Sequence, residues 1–197
     1  MSATILALTW SIPLSIRMAS MKHRVKSVII SVFNALLGLP TVLVGLLLYL
    51  IFSRSGPLGF LKLLYTPQII VIGQAILITP LLISLMYEVF TKALAEYWEL
   101  ALSLGASRGQ AYKTVIREVS GDILTISLIG FSRAIGELGV ALIVGGNIKG
   151  YTRVLTTAIA LEVEKGEFNV AMILGLLLFI IVLSVILSIR FIKRGTQ

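Results

Sequence analysis

Two charged residues interrupt the apolar run ILTISLIGFSRAIGELGVALIV, residues 123–144: Arg133 and Glu137. Four positions apart on a helix, they share a face and can pair. If the helix starts at Ile123, Arg133 lies roughly 15 Å along it, near the middle of a bilayer. A lone charge at that depth costs at least about 2.5–3.5 kcal/mol on insertion scales, and pairing offsets part of this. The pair reads either as a structural ion pair or as part of an anion pathway near a gate, and both readings stay open. Gly130, Ala134, Gly136 and Gly139 add small surfaces for close helix packing.

A second chemical signal is the stretch 91–120, TKALAEYWELALSLGASRGQAYKTVIREVS. Leu94, Trp98, Ala101, Leu102, Ala111, Val115 and Val119 recur at helical spacing. Gly105 breaks the pattern, and Ser107 with Gln110 three residues on fits a capping box. The spacing predicts two short amphipathic helices joined by a sharp glycine turn, which needs a residue free to adopt positive φ. By periodicity alone, such a pair could equally be a surface pair lying on the membrane.

A third signal is the loop after residue 144. Its glycines, with Asn147, Lys149, Thr152 and Arg153, make an anion-attracting or protein-docking surface, since free backbone N–H groups in such turns hold anions. Composition alone describes it equally well as an ordinary polar loop. Other chemistries lack their residues. The 197 residues include no cysteine and one histidine, His23, so thiolate metal sites, disulfides and His-based metal sites are not expected. No Gly-x-x-x-x-Gly-Lys-Ser/Thr phosphate loop occurs. No basic stretch is interleaved with aromatics, which argues against nucleic acid.

The elements that must position these residues are membrane helices. The chain is 57% hydrophobic and 13% charged, with a mean hydropathy of +1.01, far from a soluble domain. A bilayer crossing needs about 20 apolar residues. Four runs reach that length: Val28–Phe52, Gln68–Phe90, Ile123–Val144 and Val170–Ile189. A fifth, Ala3–Ile16, is too short to span. With no basic stretch before it and Arg17 directly after, it reads as the C-terminal part of a spanning helix, incomplete at its start. Pro40 and Pro80 fall inside the first two long runs and are expected to kink them.

The net charge is +8. Arg17, Lys22, Arg24 and Lys26, then Lys92, Arg108, Lys113 and Arg117, then Arg190, Lys193 and Arg194 fall on one side if every run crosses once. The smaller group, Arg54, Lys62, Lys149, Arg153 and Lys165, falls on the other. The positive-inside rule then places the N-terminus outside and the C-terminus in the cytoplasm.

Glu99-Leu100-Ala101, three residues, then Gly105-Ala106-Ser107 resembles the EAA loop of ABC importer permeases. Glu99, Ala101 and Gly105 match; Leu100 replaces the middle alanine, and Arg117-Glu118 stands where Leu-Pro is usual. The resemblance implies a coupling helix, within residues 91–120, that docks in a groove of a separate ATPase subunit. Small Ala101 and Gly105 would allow close approach. Glu99 would pair with a basic residue there and Arg108 with an acidic one, with Ala106 and Ser107 completing the turn.

Three further segments carry a broader likeness. They are Ser132-Arg133-Ala134-Ile135-Gly136-Glu137, then Gly145-Gly146-Asn147-Ile148 with Thr152-Arg153-Val154-Leu155-Thr156-Thr157-Ala158-Ile159, and Lys165-Gly166-Glu167-Phe168. With Leu39-Pro40-Thr41-Val42, Val44-Gly45-Leu46 and Ser53-Arg54-Ser55-Gly56-Pro57-Leu58-Gly59 upstream, they are similar to tungstate ABC transporter permeases, and more loosely to molybdate and sulfate permeases. The resemblance covers nearly the whole chain, residues 1–197, as a single transmembrane domain. It implies an all-α integral membrane protein, a type I permease bundle of about five transmembrane helices, the first incomplete, plus the coupling pair. It also implies a second copy of the chain, two cytoplasmic ATPases that bind the ATP and magnesium, an extracellular oxyanion-binding protein, and a location in the plasma membrane. The chain itself would be no enzyme and hold no cofactor. Pro40, Thr41, Arg133 and Glu137 are the candidates for the path or gate. A secondary transporter and a membrane enzyme are the other classes. The first lacks paired interrupted helices and any role for the 91–120 loop; the second lacks a clustered catalytic set at membrane depth.

Overall fold

The computed structural model describes residues 1–21 and 23–194, with side chains described except at 23–25 and 189–194. The orientation argument's Lys22, and the side chains of His23, Arg24, Arg190, Lys193 and Arg194, lie outside what is described. Among the described residues the chain is all helical: α1 (Ser2–Ala19), α2 (His23–Leu36), α3 (Thr41–Phe52), a 3-10 turn Gly59–Leu61, α4 (Pro67–Ala93), a π turn Leu94–Trp98, α5 (Glu99–Ser103), α6 (Arg108–Glu118), α7 (Ser120–Ile135), α8 (Gly139–Gly145), α9 (Leu155–Glu164) and α10 (Phe168–Arg194).

Among the described residues, two helices can cross a membrane by length and apolarity, Pro67–Ser103 and Phe168–Ser188. The number rises to four if each of two bent pairs is one span. Those pairs correct the expectation of simple runs. Val28–Phe52 is not one kinked helix but α2 and α3, meeting at 96°. Gly38 and Pro40 sit in the gap. Proline disfavours helical backbone at the residue before it, and Pro40 is extended (φ −60°, ψ 126°) as the cap of α3. Ile123–Val144 is likewise α7 and α8, bent by 58°. Gly136 and Gly139 flank that break, and glycine lowers helix stability by about 1 kcal/mol at each such position. Pro80, by contrast, leaves α4 unbroken. Near it the Thr79 hydroxyl donates to the Ala75 carbonyl at 2.7 Å and accepts from Trp10 Nε1 at 2.8 Å, so polar groups at this point are matched internally.

α4 is the hub, packing against α1, α2, α3, α6, α7 and α8. Its most extensive partner is α1. Ala3, Ala7, Ser11 and Ser15 recur every fourth residue on the buried face of α1, and small residues at that spacing let two helices approach closely. They meet a core of Ala75, Ile78, Leu82, Met86 and Phe90. Ala7→Leu is therefore expected to overpack a fully buried site and cost about 1–3 kcal/mol. Thermal unfolding in detergent should show the loss, and Ile5→Ala, on the exposed face, should leave the transition unchanged. α10 is the opposite case: its most apolar window is only 6% buried. α10 touches α9 and α7, but a helix apolar all round with so little cover from its own chain is one built to face acyl chains or another helix.

Candidate functional site

The loop between α5 and α6 forms a closed local structure. Gly105 has φ +85°. The Ala106 N–H donates to the Ala101 carbonyl and the Gly105 N–H to the Leu102 carbonyl, both at 3.0 Å, the paired bonds of a Schellman ending. Two residues on, the Ser107 hydroxyl accepts from the Gln110 N–H at 3.4 Å, and the Ser107 N–H donates to Gln110 Oε1 at 2.7 Å. This is the capping box expected from the spacing, and it starts α6 at Arg108.

Trp98 and Tyr112 pack with ring centroids 4.6 Å apart and planes tilted by 59°, fastening α6 to the π turn. Ala101, Ala111, Val115 and Val119 are buried, whereas Glu99, Ser107 and Arg108 stand in the open. The tip also exposes residues that periodicity missed. Leu104 is 80% exposed and Leu100 55%, so the turn presents a bare apolar knob flanked by Glu99 and Arg108. No leucine-proline pair ends α6; Val119 serves as its C-cap and as the N-cap of α7, so the two follow one another almost directly.

The two helix breaks meet. A Cβ on Gly139 would lie 2.7 Å from Thr41 Oγ1 and 3.1 Å from the Val42 nitrogen, and one on Gly45 would lie within 3.2 Å of Ile143 and Val140. α3 and α8 thus cross at glycines, which brings Thr41 and Pro40 beside the segment that carries Glu137. The expected pairing is present but arises differently. α7 ends at Ile135, so Glu137 is in the break rather than on the same helix as Arg133. Arg133 NH1 still reaches Glu137 Oε2 at 2.9 Å. The other carboxylate oxygen accepts from the Val140 N–H at 3.3 Å, which caps α8. The break's carbonyls find donors too: Thr156 Oγ1 to Glu137 at 2.8 Å and Gln74 Nε2 to Ala134 at 3.1 Å. Glu137 is 3% exposed, while the Arg133 side chain is 45% exposed.

The loop after α8 is held by its own polar residues. Asn147 takes φ +51° between Gly146 and a turn closed by Gly150. Arg153 donates from Nε to Asn147 Oδ1 at 3.0 Å and from NH2 to the Asn147 carbonyl at 3.2 Å. The buried Thr152 hydroxyl donates to the Gly145 carbonyl and accepts from the Ile148 N–H. Lys149 projects outward, with Tyr151. The Tyr65 N–H donates to the Val144 carbonyl at 2.8 Å, which brings the 59–66 segment to the same end. A hydrogen bond with Tyr49 raises the Tyr65 phenol above its ordinary pKa. Exposed Phe60 and Lys62 belong to this end as well, and loop composition alone did not single them out. Among the described residues no group of three His, Cys, Asp or Glu side chains converges as metal ligands would.

Residues 11–195 match the family profile described as binding-protein-dependent transport system inner membrane component. The chain is 41% identical over 180 residues, 91% of its length and 79% of the relative's, to the tungstate uptake system permease protein TupB of Peptoclostridium acidaminophilum. It is 38% identical over 160 residues to the TupB of Campylobacter jejuni, covering 81% and 67% of the two chains. To the molybdenum transport system permease protein ModB of Azotobacter vinelandii it is 29% identical over 203 residues, covering 98% and 90%. The glycine turn with its bare tip, the paired helix breaks and these matches along the chain agree: it belongs to the inner membrane permease components of binding-protein-dependent ABC transport systems, which are not themselves catalytic.

Proposed function

We propose that this chain is the transmembrane subunit of an ATP-driven importer for a tetrahedral oxyanion, tungstate in the first place. The carrying observation is the exposed α5–α6 tip. An apolar knob at Leu100 and Leu104, flanked by opposite charges at Glu99 and Arg108, is shaped to enter a groove on a partner. In this reading Glu99, Ala101, Gly105, Ala106, Ser107 and Arg108 couple the chain to an ATPase. Two ATPases and two copies of the chain form the core, and ATP and magnesium bind on the ATPases. Five crossings, α1 counted as the first, would leave the N-terminus outside and the tip in the cytoplasm.

Thr41, Pro40, Arg133 and Glu137 then lie where two broken helices touch, the kind of place where irregular backbone inside a membrane lines a path. At the outer end, Lys149 offers the charge that a binding protein would meet, while Asn147, Thr152 and Arg153 hold the loop in shape. The relatives support tungstate over molybdate, since the tungstate permeases are 41% and 38% identical and the molybdenum permease 29%. The test is uptake by vesicles holding the chain with its ATPase and binding protein. Tungstate should accumulate in an ATP-dependent way and outcompete equimolar molybdate and sulfate. Uptake without ATP would overturn the importer reading, and sulfate preference would overturn the choice of ion.

A further inference from the structure

A cavity of about 520 Å³ opens beside the α2–α3 elbow, lined by α1, α2, α3, α4 and α7. Its volume is within the range of small-molecule sites, about 300–1,000 Å³. The walls are apolar, with Phe33, Leu36, Leu39, Val44 and Ile76 among them. Three lining residues carry polar side-chain atoms: Trp10, Thr79 and Arg133. Two of these are committed, since Trp10 Nε1 donates to Thr79 Oγ1 and that hydroxyl donates to the Ala75 carbonyl. Arg133 gives one N–H to Glu137, and among the described residues its remaining donors have no partner. The cavity is therefore an apolar container with a single cationic group that still has hydrogen bonds to give.

From this geometry we propose that the cavity binds a single-chain amphipathic anion, a long-chain carboxylate taken from the bilayer. Its head would rest on the unused N–H groups of Arg133 and its tail among Phe33, Leu36, Val44 and Ile76. Guanidinium takes a carboxylate through two parallel hydrogen bonds, and one engaged NH1 leaves the other edge for that fork. A small hydrated dianion fits this container poorly. Apolar walls replace none of its water, and burying such an ion without enough donors is costly. The occupant would sit between the α2–α3 elbow and α4 and hold the elbow at its observed angle. Arg133 is shared with the proposed ion path, so the occupant and a passing oxyanion would engage the same guanidinium at different times; neither the choice of ion nor ATP enters the inference.

The molecule carries its own reporter. Trp10 and Trp98 are the only tryptophans, so Trp98→Phe leaves Trp10, in the cavity wall, as the sole indole, excited selectively over the tyrosines at long wavelength. Titrating this variant in lipid nanodiscs with 9,10-dibromostearate should quench Trp10 saturably, near one equivalent per chain. The methyl ester, with the same brominated tail and no charge, should bind at least about tenfold more weakly, as should the acid to Arg133→Gln in the same background. The ester comparison needs no second variant, so it holds if Arg133→Gln misfolds. Quenching that rises without saturation, equally for acid and ester, would mean simple partition into lipid and overturn the site. Displacement of the acid by equimolar inorganic sulfate would also overturn it, since the guanidinium would then serve an inorganic ion.

Discussion

Gly105→Asp is expected to abolish capture of an ATPase subunit while leaving membrane insertion and helix content intact. Within the chain nothing lies within 4 Å of a side chain added at Gly105, so the substitution clashes with no neighbour. Its backbone φ of +85° costs a non-glycine residue roughly 1–2 kcal/mol, a local strain at an exposed turn. The large effect falls on the partner. A carboxylate at the centre of an apolar knob is desolvated on docking and left unpaired, at a cost of roughly 2–5 kcal/mol, or about 30-fold to several thousandfold in affinity. Pull-down of the tagged chain from mild detergent, with the ATPase quantified, is the measurement. Gly105→Ala isolates the backbone cost and should retain most of the binding. An Asp variant that captures the ATPase stoichiometrically and transports at full rate would remove the tip from the coupling interface.

The second large effect concerns Arg133 and Glu137. Arg133→Leu alone leaves a carboxylate that is 3% exposed and has, among the described residues, the Val140 N–H as its remaining partner. Removing one member of a buried pair costs about 3–5 kcal/mol. The figure here is smaller, because the guanidinium side is nearly half exposed and its attraction is screened. The double variant Arg133→Leu, Glu137→Leu removes both charges, and replacing an ion pair with apolar residues is often neutral or stabilising. Thermal stability in detergent should therefore fall in the single variant and largely recover in the double. Transport should not recover, staying at roughly a hundredth of the parent rate or below, as expected when about 2.7 kcal/mol of charge stabilisation is lost. A double variant with restored stability and full transport leaves the pair a purely structural role.

Features encoded by adjacent residues were legible in the sequence. Gly105 and the Ser107–Gln110 box are local chemistry, and their turn and cap form as spacing requires. Arg133 and Glu137 were paired correctly for an incomplete reason, because the apolar run continues through 138–144 and hides the end of α7 at Ile135. Pro40 marked an interruption but not a 96° elbow. That angle belongs to a tertiary contact, the crossing of α3 and α8 at Gly45 and Gly139, which no local pattern contains. In the sequence Thr152 and Arg153 read as part of an anion-attracting or docking surface, or of an ordinary polar loop. They bond within the loop because residues 146, 147 and 150 take positive φ, and a chain bent that sharply needs side chains to satisfy its backbone. The exposure of Leu104 could not be seen before the turn's geometry was known. The π turn Leu94–Trp98 has no residue signature at all.

That π turn has a mechanical meaning. Pro67–Ser103 is a single helical rod of 37 residues, roughly 55 Å long at 1.5 Å per residue. One end abuts the Tyr65–Val144 contact; the other ends at the Gly105 turn. A π turn is an α-helix with one residue inserted, and each residue advances a helix by about 100°. The insertion therefore works like the keying of a driveshaft, setting the direction in which Glu99 and Leu100 point relative to Thr79 and Pro80 far along the same shaft. The single inserted residue thus fixes the angular phase between the two ends of the shaft.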